Sequence, residues 1–352
     1  RAMQDKTQAV VCRPCVKEKK PRCCVRPRTR TRDEVYISTE AARPAGVATR
    51  VTSSANTSER ARRLREKIWD GAIGDIHEVH IWSNRPLWPH GMLRPPGADP
   101  IPNSFDWDLW LGPAPKRPFK NEWPDGHLAL AQVLSGRPKK AVYHPWNFRG
   151  WWDFGTGALG DMGCHHFNTT FKALKLTYPT RISASATRVC DESAPLGSIV
   201  TYDFPARADM PPCRVVWYDG GLKPPRPAEL EDGRDLRGSG NLYIGTKGKI
   251  LGGTDDGRII PESKMKAYRS PKRTLESRSG TWGEWVEAIR GGVPAGCNFD
   301  WAAYITAAVL LGNIAIRTGK TLDWDARTRR FTNYEPANAF LKEPYRKPWS
   351  LA

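Results

Sequence analysis

Residues 151–167 read WWDFGTGALGDMGCHHF, and this stretch has two interpretations: a dinucleotide-binding turn, or the start of a helix that carries other chemistry. It holds a literal G-x-G-x-x-G at Gly155, Gly157 and Gly160, the pattern of a dinucleotide-binding turn. Such a turn needs a buried β-branched strand before it and an acidic residue about 20 positions later. The residues before Gly155 are rich in tryptophan and form no such strand. The context therefore argues against a Rossmann turn at this place.

The residues behind these glycines have helical spacing. Asp161, His165, Asn168 and Lys172 recur at i, i+4, i+7 and i+11, and an apolar stripe lies opposite them: Gly163, Phe167, Phe171 and Leu174. A carboxylate one turn from an imidazole can fix its tautomer and raise its basicity, which suits a general acid/base near neutral pH. A solvated outer face is the ordinary alternative, and spacing alone does not decide between the two.

The charge of the chain is strongly positive but unevenly placed. The 352 residues suffice for one large or two ordinary domains, and the formal net charge is +18. Residues 12–32 carry nine Lys or Arg residues against the single acid Glu18. This segment has no aromatic residue for base stacking, and no nucleic-acid-binding module follows it. We therefore expect a solvated basic tail rather than a nucleic-acid site.

The eight cysteines indicate neither a metal site nor a disulfide framework. Four lie in the basic segment, and only Cys12 and Cys15 have zinc-like spacing, with no second ligand pair after them. The others should be ordinary buried thiols: Cys164, Cys190, Cys213 and Cys297. The longest apolar run, residues 302–316, is too short to span a bilayer, so we expect a soluble protein and no membrane partner. Its compartment, cytoplasmic or exported, stays undetermined, because any signal would lie upstream of Arg1.

Hydrophobic periodicity predicts a protein with an antiparallel sheet. We expect strands at 46–51, 76–82, 181–189, 198–204 and 214–218, and a hairpin at 241–251. Helices are expected at 35–42, 57–69, 282–290 and 300–317, and one helix, 127–134, within the Pro- and Trp-rich loops of residues 84–149. The later strands follow one another without helices between them, which favours an α+β domain. Most of the 15 tryptophans should pin these loops, with Trp151 and Trp152 as cleft residues.

Five ordered blocks of the sequence resemble the glucose-fructose oxidoreductase / inositol dehydrogenase / MocA (Gfo/Idh/MocA) family. They are AIGDIHEVHIWSNRPLWPHG, FDWDLWLGPAPKRPF, HPWNFRGWWDFGTGALGDMGCH, AAVLLGNIAIRTGKTLDWD and TNYEPAN. The resemblance implies an N-terminal Rossmann domain that holds NAD or NADP, and a C-terminal domain with an open, mainly antiparallel sheet, helices on one face of it. That sheet commonly supports homo-oligomers. The implied substrate is a small carbohydrate or polyol.

The resemblance also implies roles for individual residues. The D-x-x-x-H element of the family maps onto Asp161 and His165, where the histidine moves the carbinol proton and the acid orients it. Arg149, Trp152 and Asn168 would bind the substrate. No metal is implied.

The start of the chain departs from the family pattern. The glycine fingerprint is missing, and Cys12, Arg13 and Pro14 stand where the family has Glu-Lys-Pro at its cofactor site. We therefore expect residues 1–74 to be a truncated remnant of the Rossmann domain, with the basic Cys-rich segment at 12–32 inside it. Residues 75–352 would be the substrate and oligomerisation domain. Two explanations are open: the chain is a fragment or the product of a mis-framed gene, or it is a genuine protein that has lost redox chemistry.

The sequence thus predicts an NAD(P)-dependent oxidoreductase acting on a sugar, polyol or glycoside, in a chain that is inactive if its cofactor half is incomplete. A non-catalytic carbohydrate-binding or assembly subunit is the alternative from another class. A redox-neutral, NAD-dependent glycosidase is the alternative among enzymes.

Overall fold

The computed structural model of the protein describes residues 5–25, 27–53, 55–133 and 137–351. Its first elements are α1 (Asp5–Lys17), β1 (Arg22–Cys24), α2 (Arg32–Ala45), β2 (Thr49–Val51) and α3 (Glu59–Trp69). β1 and β2 pair in parallel, with α2 as the connection between them. A capping box starts α2, since Thr31 accepts from the Glu34 N–H and the Glu34 carboxylate accepts from the Thr31 N–H. Gly46, at φ 61°, ends it.

The expectation of a solvated basic tail at residues 12–32 is wrong. Its first part continues α1 and its middle forms β1, so the described part of the segment is folded. Cys12 and Cys24 are buried in a small core with Val51 and Phe299. The basic side chains do not prevent folding because arginines such as Arg28 donate to buried carbonyl oxygens.

A large, mostly antiparallel sheet makes up the rest of the fold. Its first strand is β3 (Ile76–Trp82), and after it come α4 (Trp107–Leu111), α5 (Ala129–Gln132) and α6 (Gly157–Ala173). The remaining strands are β4 (Arg181–Ala186), β5 (Ser198–Phe204), β6 (Cys213–Tyr218), β7 (Gly240–Gly245), β8 (Gly248–Gly252), β9 (Arg258–Ile260), β10 (Leu322–Asp325) and β11 (Arg330–Phe331). Helices α7 (Glu262–Ala267), α8 (Gly280–Ile289) and α9 (Phe299–Thr318) lie between β9 and β10.

The strand order is β11-β10-β4-β5-β6-β3-β7-β8-β9, and β3–β6 is the parallel pair within this sheet. Burial alternates along β5, which is the expected pattern for a strand with one face on the core. The predicted mainly antiparallel sheet is confirmed. The predicted helix at 127–134 is shorter than expected, with Leu134 outside the described residues, and α4 was missed.

Helices α6 and α9 cover one face of the sheet. α9 is almost wholly buried, and Gly319, at φ 62°, ends it. Among the described helices, one is long and apolar enough to cross a membrane, and this is α9. However, 83% of its most apolar 18-residue stretch is buried inside the protein, as is typical of a core helix. α6 packs closely on it, since a Cβ at Gly163 would lie 2.7 Å from Val309 Cγ1.

Two features bear on the predicted domains. Val35, Leu64 and Ile68, before residue 75, share one hydrophobic core with Phe167 and other residues after it. The Pro- and Trp-rich loops and the residues just before α6 form a second core, whose members include Trp107, Trp123, Trp151 and Phe154. The boundary at residue 74 and the Rossmann origin of residues 1–74 stay predictions.

Candidate functional site

The glycines of residues 155–160 shape the start of α6. The described residues directly before them form no strand, because Trp151 makes only an isolated bridge, to Ser193. A Cβ at Gly155 would lie 2.7 Å from the Arg149 backbone, and one at Gly160 would lie 2.0 Å from Thr156 Oγ1. These positions therefore need glycine for close packing within the protein. The structure agrees with the rejection of a dinucleotide turn here.

Asp161 is held by arginine at the beginning of the α6 polar face. Arg149 Nε lies 3.2 Å from Asp161 Oδ1, with both side chains about four-fifths buried. Two carbonyl oxygens, of Pro145 and Trp146, accept from Arg149 Nη1 at 3.1 and 3.0 Å. The predicted site residues Arg149 and Asp161 are thus brought together, and the ion pair fixes the carboxylate.

Aromatic rings surround the Arg149 guanidinium. It lies 5.5 Å from the Trp88 ring, 5.0 Å from the Trp146 ring and 5.3 Å from the Phe148 ring. Burial lowers the pKa of Arg85, and the nearby Asp161 charge opposes that shift. Arg85, Trp88 and Trp146 were not predicted as site residues. In the sequence, only the composition of the Pro- and Trp-rich loops pointed to this region, and composition does not identify single site residues.

Asp5 is a second acid near Asp161. It is fully buried, and Thr156 Oγ1 donates to its Oδ2 at 2.8 Å. Burial raises its pKa well above the usual range, and the Asp161 charge raises it further. Asp5 therefore lies near the ion pair of Asp161 and Arg149, in a buried environment that favours its protonated form. Sequence reasoning missed Asp5 because it assigned the first residues to a remnant.

His165 lies one turn after Asp161 on the same face of α6 and is partly exposed. The next residue, His166, lies in a different environment. His166 is 2% exposed, its Nδ1 lies 2.6 Å from Asn241 Oδ1, and burial lowers its pKa to about 4. It is a neutral histidine of the core. The partly exposed His165 is therefore the member of the pair that can meet a ligand.

Farther along α6 the polar stripe enters the protein interior. Asn168 is fully buried, donates to Ser53 Oγ at 2.7 Å and accepts from Trp301 Nε1 at 2.9 Å. Lys172 Nζ donates to the Gly296 carbonyl at 2.8 Å, and burial lowers the Lys172 pKa to about 8. Helical spacing indicated one common face but could not show where that face leaves the cleft. The Asn168 amide therefore serves as a link between α6, α9 and the end of β2.

Trp152 is also a packing residue in this structure. It is 5% exposed, its Nε1 donates to the Cys190 carbonyl at 3.1 Å, and Arg317 lies over its ring at 5.4 Å. Trp151 is 2% exposed. Both tryptophans are therefore buried behind α6, although Trp152 also lines a small cavity there, and its role in substrate binding stays a prediction.

The residues that the resemblance assigned to the cofactor lie inside α1. Arg13 is partly exposed, and Pro14 is exposed on the same helix. No described contact joins either of them to Asp161. In the segment after β1, Arg28 donates to the carbonyl of Phe299 in α9, and Arg30 donates to the carbonyl of Trp152, before α6.

A dinucleotide would bind at the carboxyl edge of β1 and β2, outside the ends of parallel strands. Two of the described side chains there, Ser53 and Arg28, already donate to other groups of the protein. Ser53 Oγ donates to the Cys164 carbonyl at 2.9 Å, and Arg28 Nη2 donates to the Val35 carbonyl and to Thr39 Oγ1, each at 2.6 Å. No glycine-rich turn follows either strand. The described residues therefore do not fit the pyrophosphate of NAD or NADP.

Two sizeable cavities between described residues lie elsewhere. One, of about 570 Å³, is lined by Trp69, Asp70 and Lys175, and another, of about 550 Å³, by Trp82, Arg237 and Asp256. Neither contains Asp161 or His165. We place the candidate site at Asp161 on the grounds of chemistry, because cavity size alone does not identify a reactive group. In the described residues no group of three or more His, Cys, Asp or Glu side chains could hold a metal ion.

Comparison with known proteins connects this architecture to a family. Residues 230–351 match the family model described as the oxidoreductase family C-terminal alpha/beta domain, GFO_IDH_MocA_C2. No curated protein matches the chain.

Solved structures share the fold over most of the chain. The WlbA dehydrogenase from Bordetella pertussis, solved with NADH and UDP-GlcNAcA, has a TM-score of 0.56 at 12% identity, covering 92% of this chain and 78% of that one. A levoglucosan dehydrogenase, solved with NADH and levoglucosan, has a TM-score of 0.53 at 14% identity, with coverage of 92% and 78%. An aldose-aldose oxidoreductase from Caulobacter crescentus, solved with glycerol, has a TM-score of 0.53 at 12% identity, with coverage of 91% and 77%.

The resemblance of this chain to the Gfo/Idh/MocA oxidoreductase family is therefore confirmed, in sequence over residues 230–351 and in fold over most of its length.

Proposed function

We propose that this chain carries the substrate-binding and proton-transfer half of a Gfo/Idh/MocA-type oxidoreductase for a sugar or polyol. The observation that carries the proposal is the Asp161–Arg149 ion pair, placed one helical turn before the partly exposed His165. A sugar hydroxyl needs a group that accepts its proton and charged groups that bind its neighbours. This end of α6 offers both.

His165 is the proton acceptor in this proposal. A hydroxyl of the substrate donates to the His165 ring, and the Asp161 charge stabilises the imidazolium that forms. Arg149 keeps the Asp161 carboxylate in place through its two carbonyl contacts, so the charge does not rotate away. The partly exposed Trp146 ring near Arg149 offers an apolar face for a sugar ring.

A bound nicotinamide would supply the hydride acceptor for oxidation of the carbinol. NAD or NADP remains a prediction from the resemblance, because the described carboxyl edge of β1 and β2 does not fit the pyrophosphate. We therefore assign no step of the reaction to it. Arg13 and Pro14 remain only predicted cofactor residues.

The same misfit favours a second candidate function, a carbohydrate-binding subunit that performs no redox reaction. Both functions use the Asp161 site, and they differ in whether a bound sugar is oxidised. The redox-neutral glycosidase needs a nicotinamide as well, so the described residues favour it no more than the dehydrogenase.

Titration calorimetry with sugars tests the proposal. The probes are levoglucosan, UDP-GlcNAcA and myo-inositol, and we expect at least one of them to bind the unmodified chain. His165→Ala and Asp161→Asn should each raise its Kd by about 10-fold to 100-fold, because a hydrogen bond to a charged group contributes about 1.5–3 kcal/mol. His77→Ala is the matched control, since His77 is exposed on β3.

NAD added to the sugar that binds separates the two functions. Formation of NADH would show a complete dehydrogenase, and its loss in His165→Ala would assign the proton transfer. Sugar binding without NADH formation would favour the binding subunit. Sugar affinity that is the same in His165→Ala and in the unmodified chain would contradict the proposal in both forms.

A further inference from the structure

The cavity of about 570 Å³ lies at the opposite end of α6 from the candidate site. It is bounded by the end of α3 and the turn after it, by the residues that follow α6, and by the loops 205–212 and 246–247. Its volume lies within the range of small-molecule sites, about 300–1,000 Å³. Its charged and aromatic lining residues are Trp69, Asp70, Asp75, Lys175, Asp209 and Lys247.

This cavity is separate from the Asp161–Arg149 pair. Leu174 and Lys175 line it, directly after the last residue of α6, whereas Asp161 lies 12 residues before that helix ends. At a rise of about 1.5 Å per residue, this is a separation of about 18 Å along the helix. Neither Asp161 nor His165 lines the cavity. A ligand bound there would leave the candidate site open, so the inference does not rest on the proposed function.

An exposed indole ring forms part of the wall. Trp69 is the last residue of α3, and it is 42% exposed. Its Nε1 donates to the Ala173 carbonyl at 2.8 Å, which fixes the orientation of the ring. The Arg65 guanidinium lies 5.8 Å from the ring centroid and still leaves the indole open to this extent. A flat ring that is held in place and exposed can pack on the apolar face of a sugar ring at little entropic cost.

The charges of the lining are nearly balanced. It has three carboxylates, those of Asp70, Asp75 and Asp209, and two ammonium groups, those of Lys175 and Lys247, which leaves a formal charge of −1. A phosphate group would meet three carboxylates, and a cationic ligand would meet two ammonium groups, so Coulomb repulsion disfavours both. The lining therefore suits a polar ligand without charge.

Several of these polar groups have hydrogen-bonding capacity left for a ligand. Asp75 and Lys247 are exposed, and no ion pair joins either of them to another residue that the structure describes. The Asp70 carboxylate accepts from the Tyr268 hydroxyl at 2.8 Å through Oδ2. A hydroxyl group can donate to a carboxylate and accept from an ammonium group, so a ligand with many hydroxyls can use both kinds of partner.

We propose that this cavity is a second, non-catalytic binding site for a neutral carbohydrate. Trp69 is its stacking surface, and Asp75 and Lys247 are its principal polar partners. Leu174 and Met210 add apolar surface to the lining. Sugar rings combine apolar faces with a rim of hydroxyl groups, which is the combination that this wall matches.

Titration calorimetry of the full chain with neutral oligosaccharides tests the inference. Cellotetraose and maltotetraose are the probes, and tetraethylene glycol, which has ether oxygens but no sugar ring, is the control ligand. We expect one or both oligosaccharides to bind and the glycol not to bind. Binding of cellotetraose alone assigns a β-linked glucan, and binding of maltotetraose alone assigns an α-linked one.

Variants locate the binding. Trp69→Ala should raise the Kd at least about 10-fold, while Trp69→Phe keeps a flat ring and should raise it by less than about threefold. Trp282→Ala is the matched control, since Trp282 is a 59% exposed tryptophan on α8 outside the lining, and it should leave the Kd unchanged.

Two further variants keep the test open if Trp69→Ala does not fold. Asp75→Asn and Lys247→Met change exposed side chains, and each should raise the Kd by about threefold or more, because each removes a hydrogen bond to a charged group. His165→Ala should leave the Kd of the oligosaccharide unchanged.

Three results would overturn the inference. The first is an unmodified chain that binds neither oligosaccharide more tightly than tetraethylene glycol. The second is a Kd that is the same in the unmodified chain, Trp69→Ala, Asp75→Asn and Lys247→Met. The third is a Kd that rises in His165→Ala and not in Trp69→Ala, which would place the sugar at the Asp161 site and support the proposed function instead.

Discussion

A single methyl group added at Gly163 should disturb the close packing of α6 on α9. Gly163 lies between Asp161 and His165 in sequence, on the opposite side of the helix. In Gly163→Ala the new Cβ would lie 2.7 Å from Val309 Cγ1 and 3.2 Å from Leu159 Cδ1. Carbon atoms in favourable contact are about 3.5–4.0 Å apart, so Val309 or the whole helix must move by about 1 Å. Both neighbours are buried, which leaves little room for that movement.

The magnitude follows from two opposing effects. Overpacking of a core costs about 1–3 kcal/mol, while alanine favours a helix over glycine by about 1 kcal/mol. We expect Gly163→Ala to lower the free energy of unfolding by up to about 2 kcal/mol. Val309→Ala removes two buried methyl groups and should cost about 2 kcal/mol. In the double variant the alanine methyl at 163 occupies the space that Val309 vacates, so the total cost should be at least about 1 kcal/mol below the sum.

Urea unfolding followed by tryptophan fluorescence measures these differences, since the chain has 15 tryptophans. The four proteins of the cycle should share one slope against urea and differ in midpoint. Costs that add within about 0.5 kcal/mol would refute the reasoning, because residues without contact behave independently.

Three further predictions concern stability, pH and assembly. Burial raises the pKa of Asp219 to about 7, although Trp217 and Ser198 donate to its carboxylate. In the unfolded chain this group ionises near pH 4, so the free energy of unfolding should fall as the pH rises from about 4 to about 7, by at most about 4 kcal/mol. The urea midpoint of Asp219→Asn should not show this pH dependence. Gly312→Ala would place a Cβ 2.0 Å from Tyr202 Oη, so its thermal midpoint should fall more than that of Gly163→Ala. If the sheet forms a homo-oligomer, sedimentation should give a mass that is a multiple of 39.5 kDa. Thr201→Lys places a charge on the half-buried outer face of β5 and should shift the sedimenting mass towards that of the monomer.

Much of the fold could be predicted because local patterns and packing agree. The strand over 198–204 has the expected bounds, since its side chains alternate between core and outer face. The helix of residues 300–317 ends where Gly319 predicted it. α1 and β1 were missed, since the many basic residues there resemble a solvated tail and only tertiary contacts show that Cys12 and Cys24 are buried.

The site was predictable in part. Helical spacing placed Asp161 and His165 on one face, and the structure adds Arg149 at 3.2 Å from Asp161. Spacing could not show that Asn168 faces Ser53 and Trp301, because burial depends on which elements pack over that end of the helix. It also could not identify Asp5, which is 156 positions before Asp161 in sequence and close to it only through the fold.

A crystal structure of the chain with the best-binding sugar of the three probes tests the central claim most directly. The account predicts a sugar hydroxyl within about 2.6–3.2 Å of a His165 ring nitrogen, with the sugar also near the Asp161–Arg149 pair. A sugar bound in the cavity at Trp82 instead, or a His165 ring turned into the packed interior, would contradict it.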